Sequence, residues 1–210
     1  MMILALLAIV LSYLVGSVPN GYIVGRLFKG IDIRDHGSGN IGFTNALRVM
    51  GAVPGAIVLL ADVGKGVASV LAISQLGGIQ PNALTPYMSE LCGGIAMVGH
   101  VWTVFLKFRG GKGVATSLGI FTSLFWQGGL IALGVWIIVV AITRFVSLGS
   151  ILLCASFCAS TFVIGGQHIW ALRILALVVT AIVVYRHKEN IQRLLRGEER
   201  KLGQREKLST

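Results

Sequence analysis

The chain has 210 residues, a formal net charge of +10, 55% hydrophobic and only 12% charged residues, with a mean hydropathy of +0.82. That balance excludes an ordinary soluble domain, and apolar runs of helix-spanning length recur along the chain, so the expected fold is all-α, a polytopic membrane helix bundle forming one domain over 1–210. The positive charge does not mark a nucleic-acid binder, because no continuous basic face sits on a soluble module; basic loops beside anionic lipid and anionic substrates account for it.

The N-terminal apolar run has no basic flank, so it reads as a first span, about Ile3 to Leu27, rather than a cleaved signal. Gly16, Pro19 and Asn20 should bend it near its inner end. Residues 28–51 form a polar loop. Pro54 suits the first turn of a second span, about 54–76. Asp62 and Lys65 lie three apart within it, share a face and can pair, whether for function or for structure. After an uncharged outer loop at 77–86, a third span covers about Tyr87 to Phe105, with Glu90 near its outer end. The run from Val114 to Trp126 is only about 20 Å long as a helix, short for a bilayer core of about 30 Å. Gln127, Gly128 and Gly129 are expected to form a turn before a span at about 130–143. Two further spans, about 148–165 and 169–186, precede a basic tail whose first two turns should be helical. Cys92, Cys154 and Cys158 lack histidine or acidic neighbours and read as small core residues. No metal constellation is visible and no cofactor is expected.

With seven spans alternating and the 28–51 loop inside, the inner face collects all 18 lysines and arginines except Lys65 and Arg173. This asymmetry puts the N-terminus outside and the C-terminus in the cytoplasm; five full spans, with the 114–126 pair only dipping in, give the same orientation.

Three polar segments fall on that inner face. The first, Gly37-Ser38-Gly39-Asn40-Ile41-Gly42-Phe43-Thr44-Asn45-Ala46-Leu47-Arg48, can turn several backbone N–H groups toward one point. Its Ser38, Asn40, Thr44 and Asn45 add polar side chains, and Arg48 a planar fork suited to phosphate. It reads as an anion cradle or as a loop that only caps the next helix. In the second, Gly110-Gly111-Lys112-Gly113 places a lysine amid N–H groups at a helix start, where anions bind; a snorkelling lysine is the alternative. It is not a Walker loop, since Leu106 stands where a glycine is needed and Gly113 where a hydroxyl residue is. In the third, His187 and Asn190 share a helix face, as acid–base groups, phosphate donors or interface residues.

The segments at 37–48, Gly99-His100 with 108–116, and Arg186-His187 with Asn190-Ile191 and Arg193-Leu194, resemble in order the three motifs of the bacterial acyl-phosphate:glycerol-3-phosphate acyltransferases, the PlsY family. The Asp62-x-x-Lys65-Gly66 element is also similar, and the likeness extends over nearly the whole chain. Arg109 departs from a usual lysine and Thr103 from a common proline, neither at a core motif position. The resemblance implies acyl transfer from acyl phosphate to the sn-1 hydroxyl of glycerol 3-phosphate, in a multi-pass protein of the bacterial cytoplasmic (inner) membrane with its active site facing the cytoplasm. It implies that Ser38, Gly37, Gly39, Gly42 and Asn40 hold the acyl phosphate, and that Arg48 and Lys112, supported by Gly110, Gly111 and Gly113, neutralise phosphate charge. His187 and Asn190 would bind glycerol 3-phosphate or orient its hydroxyl, with Thr44, Asn45, Ser147 and Ser150 as further candidates. None of His36, His100, His168 or His187 has an aspartate five residues on, so no resident general base is expected, and in the family the substrate's own phosphate is held to take the proton. The expected partners are the two substrates and the bilayer, with the protein a monomer. A transporter or flippase for an anionic lipid or organophosphate, and a lipid-binding scaffold, are the competing readings.

Overall fold

The computed structural model describes residues 3–79, 84–166 and 169–203, which form helices and turns with no strand. His168, Arg205, Lys207 and part of the expected outer loop lie outside the described residues.

The first apolar segment is broken where the sequence demands it. Pro19 has no N–H and disfavours helical geometry at Val18, so α1 (Ile3–Ser17) stops and α2 (Asn20–Lys29) starts afresh. The break exposes carbonyls inside an apolar protein, and each finds a distant donor. Thr103 Oγ1 donates to the Ser17 carbonyl at 2.5 Å, and Lys65 Nζ to the Val18 carbonyl at 3.1 Å. Lys65 also meets Asp62 at 2.9 Å, with both side chains buried. Asn20 Nδ2 donates to the same Asp62 oxygen at 2.9 Å, and His100 Nδ1 stands 3.6 Å from it. The pair on one helix face therefore exists, and it ties three helical segments together.

Residues 28–51 are not all loop. α3 (Phe43–Met50) forms within them and buries Ala46, Val49 and Met50 against Ile33, Ile41 and Val58. Its stability is tertiary, since a two-turn helix is marginal alone. α4 (Ala52–Ala68) begins two residues before Pro54, and continues through a π-helical turn (Ser69–Ile73) into α5 (Ser74–Gly78). α6 (Met88–Val101) is followed by α7 (Val114–Leu124), α8 (Trp126–Thr143), α9 (Val146–Val163), α10 (Trp170–Arg186) and α11 (Lys188–Leu195).

The expected turn at Gln127-Gly128-Gly129 is the first turn of α8 instead, and Phe125 alone separates α7 from α8. Its glycines serve close approach: a Cβ on Gly128 would lie 2.5 Å from Ser160 Oγ, and one on Gly129 2.6 Å from Thr122 Cγ2. The same device joins α4 to α7, where a Cβ on Gly66 would stand 2.4 Å from the Thr116 carbonyl and one on Gly119 2.2 Å from that of Val63. Small residues at helix contacts are how bundles pack without a hydrophobic force between helices in lipid.

Of seven segments expected to cross a membrane, five qualify on length and apolarity. α10 qualifies only together with α11, across a 60° bend, and α7, at 11 residues, is too short for a core of about 30 Å. A buried core of Met97, Ile120, Phe121, Leu153, Phe157 and Val179 links α6, α7, α9 and α10. Large apolar side chains such as Val10, Leu60, Ile138 and Val178 point outward, as a lipid-facing surface requires.

Replacing Lys65 by methionine should cost about 3–5 kcal/mol by stranding a buried charge, and the double replacement Asp62→Leu with Lys65→Met should recover much of that loss. Thermal melting in detergent checks it; a single variant as stable as the unmodified protein would mean the pair is not a structural clamp.

Candidate active site

The first polar segment is shaped from within by Asn45. Its buried side chain donates from Nδ2 to the carbonyls of His36 (3.0 Å) and Asn40 (2.9 Å), with Ile33 at 3.3 Å, and accepts from Ser38 N–H at 2.8 Å. Gly37 and Gly39 take left-handed φ of 65° and 69°, which a side chain would strain, and a Cβ on Gly37 would also strike Asn45 Oδ1 at 2.2 Å. Asn40 Oδ1 accepts from Gly42 N–H at 2.9 Å. Gly42 is the N-cap of α3 and offers no side chain to its first N–H groups. Thr44 and Arg48, four apart on α3, line the same cavity as Ser38.

The second segment is drawn tight against the end of α6. Gly110 N–H donates to the Val101 carbonyl (3.1 Å) and Gly111 N–H to that of His100 (3.0 Å). A Cβ on Gly110 would stand 2.0 Å from the His100 carbonyl, and one on Gly111 2.1 Å from its Nε2, so only glycine fits. Gly113, at φ 87°, then opens α7. Arg186 Nη2 reaches across to the Gly110 carbonyl at 3.2 Å, joining the second segment to the third.

In the third segment His187 is the hinge between α10 and α11 and is only 3% exposed. Its Nδ1 lies 2.8 Å from the Val183 carbonyl; a carbonyl only accepts, so Nδ1 donates and Nε2 is left to accept. Lys112 Nζ donates to Asn190 Oδ1, and Asn190 Nδ2 donates to Glu199 Oε1 at 2.6 Å. Glu199 also accepts from Ser147 Oγ (2.7 Å) and from Arg193 Nε (2.8 Å). Burial opposes its ionisation, but hydrogen bonds from Ser147, Asn190 and Arg193 outweigh this and hold the carboxyl below its ordinary value. Burial likewise pushes the Lys112 ammonium down, to about 8, against the attraction of Glu199.

All three segments line one cavity of about 970 Å³. Every candidate from the sequence borders it, including Gly37, Gly39, Asn40, Gly42, Gly110, Gly113, Ser147 and Ser150, with the exception of Gly111. Ser150 Oγ donates to the Val146 carbonyl of its own helix at 2.8 Å. Basic side chains outnumber acidic ones in the lining, while Leu59, Leu118, Leu133, Trp136 and Leu153 form an apolar part of the same wall. Polar lining residues outside the candidate set include Arg34, Glu199 and Arg200, together with Arg193 from the third motif and Asp62 and His100 at the helix clamp. The acidic pair at 198–199 inside a basic tail was the only local signal for Glu199.

A family model described as glycerol-3-phosphate acyltransferase matches residues 6–197. A protein of Parasynechococcus marenigrum named glycerol-3-phosphate acyltransferase is 42% identical over 96% of this chain and 91% of its own. Another from Desulforudis audaxviator is 46% identical over 92% and 93%. The glycerol 3-phosphate form of PlsY (YgiH), described as an integral membrane glycerol 3-phosphate acyltransferase, superposes with a TM-score of 0.85 at 36% identity, covering 95% of this chain and 96% of that one. Its lysophosphatidic acid form gives 0.82 at 35% identity, over the same shares. The chain belongs to the glycerol-3-phosphate acyltransferase (PlsY) family.

Proposed function

We propose that this cavity transfers an acyl chain from acyl phosphate to the sn-1 hydroxyl of glycerol 3-phosphate, giving lysophosphatidic acid and inorganic phosphate on the cytoplasmic face of a bacterial inner membrane. The observation that carries the proposal is the meeting of three anion-suited segments in one cavity whose wall is part basic and part apolar. Two phosphate-bearing substrates need separate clusters of donors, and an acyl chain needs the apolar wall. The buried charges Asp62 and Lys65, which a transporter would use, are engaged here with the broken first helix.

In this reading the Ser38 loop, with its glycine turns, and the uncapped start of α3 hold the acyl phosphate, while Arg48 and Lys112 balance phosphate charge. His187 Nε2 and Asn190 receive and orient the acceptor. The sn-1 oxygen attacks the acyl carbonyl carbon; a carbon–oxygen bond forms as the carbonyl carbon's bond to the phosphate oxygen breaks. The hydroxyl proton passes to the departing phosphate, so positioning and charge stabilisation suffice without a protein base.

Arg48→Ala and Lys112→Ala should each lower turnover at least ~10²-fold, the scale of removing one preorganised donor. Near-normal turnover in either variant would refute that residue's role. Lys112 carries its charge below about pH 8 and loses it above. The kcat/KM for glycerol 3-phosphate should therefore fall on the alkaline side near that value, and Lys112→Arg should move the fall upward; an unmoved alkaline limb would assign the titration to another group. His187→Gln should keep more activity than His187→Ala, since hydrogen bonding alone is required; equal losses would point to proton transfer by the imidazole.

A further inference from the structure

We propose that Glu199 is a positioning residue of this site: its carboxylate fixes the side-chain amide of Asn190 so that Asn190 and Lys112 are set for glycerol 3-phosphate. The inference rests on the acyl-transfer reading for its ligand, but on geometry for the rest.

Asn190 lies between two groups of opposite hydrogen-bonding capacity. An ammonium only donates and a carboxylate only accepts, so the amide has one workable orientation, Oδ1 toward Lys112 and Nδ2 toward Glu199. Without the carboxylate the amide is free to turn its NH₂ toward the lysine, and Lys112 loses its partner. Glu199 is itself over-determined. Its side chain is 7% exposed and accepts from Asn190, Ser147 and Arg193, which belong to two different helices.

The short segment that carries Glu199 is fastened on both sides. Glu198 N–H donates to the Arg193 carbonyl at 2.8 Å. Beyond Glu199, Leu202 N–H donates to the Arg144 carbonyl at 2.7 Å, and Arg144 Nη2 donates back to the Leu202 carbonyl at 2.6 Å. The strap thus runs from the end of α11 to the end of α8 and delivers one carboxylate into the cavity wall. A negative charge held beside a phosphate site is costly unless it organises the cations there, and Glu199 engages Arg193 directly and Lys112 through Asn190.

The test is calorimetric binding of glycerol 3-phosphate, without acyl donor, to the purified full-length protein and to Glu199→Ala and Glu199→Gln. The alanine variant should bind at least ~10-fold more weakly, the scale of losing one charge-assisted hydrogen bond. Glutamine can still accept from Asn190, so it should restore part of that loss. The charged groups facing Lys112 are Glu199 and Glu189 on one side of the balance, and Arg193 and Arg186 on the other; the neighbouring His187 imidazole, pushed down to about 4 chiefly by burial, is neutral in this range. Removing only the charge of Glu199 should therefore shift the alkaline weakening of binding to lower pH in the glutamine variant. Unchanged affinity in Glu199→Ala would overturn the proposal. Tighter binding would overturn it too, since the carboxylate would then be competing with the substrate phosphate. Weaker binding with no pH shift in Glu199→Gln would reduce Glu199 to a structural brace and equally overturn it. Because no acyl donor is present, these outcomes stand apart from any failure of acyl transfer itself.

Discussion

The buried contact between Lys65 and the carbonyl that the Pro19 break leaves behind is the constraint on which the rest of the structure depends. A broken helix inside an apolar protein is tolerable only if the freed backbone groups are satisfied. Lysine does this at the cost of a buried charge, and that charge calls for Asp62, which in turn holds Asn20 and approaches His100. The clamp fixes α2 and α4 relative to the end of α6. From that end hangs the Gly110–Gly113 turn, bonded to the carbonyls of His100 and Val101. Thr103 serves the neighbouring Ser17 carbonyl from the same turn region, so its hydroxyl has a definite task here.

The site repeats this logic at smaller scale. Its polar segments turn on their backbone, and each turn is braced by a side chain from another part of the cavity wall. Asn45 braces the Ser38 loop, His100 backs the glycine pair, and Arg186 binds the Gly110 carbonyl. Preorganised donors cost no reorganisation when charge develops, which is the property that the proposed transfer from an acyl phosphate requires. Lys112 sits at the meeting point, far enough buried that its charge depends on its neighbours.

Much of this was legible in the sequence because the signals were local. The break at Pro19, the Asp62–Lys65 pairing and the short helix after Gly113 each follow from one residue's chemistry or from spacing. The residues missed owe their roles to tertiary contact. α3 is invisible from its glycine- and asparagine-rich flank, because what holds it is burial of Ala46, Val49 and Met50 on other segments. Gly128 and Gly129 signal a turn by propensity, yet the bundle uses their lack of side chain to bring α8 against α7 and α9. Asn45 reads as a ligand residue by type, and what the sequence does not show is that its amide braces the loop from within. Glu199 closes the third polar segment in the sequence, yet only the path of the strap over Arg144 brings it to Asn190.

The central claim is that one cavity brings an acyl phosphate and glycerol 3-phosphate together and joins them. The most direct measurement is mass-spectrometric product analysis with purified protein, an acyl phosphate and isotopically labelled glycerol 3-phosphate. The account predicts labelled lysophosphatidic acid acylated at the sn-1 position, formed in equal amount to inorganic phosphate. Phosphate released with free fatty acid and no labelled lysophosphatidic acid, or no product from well-folded protein, would contradict it.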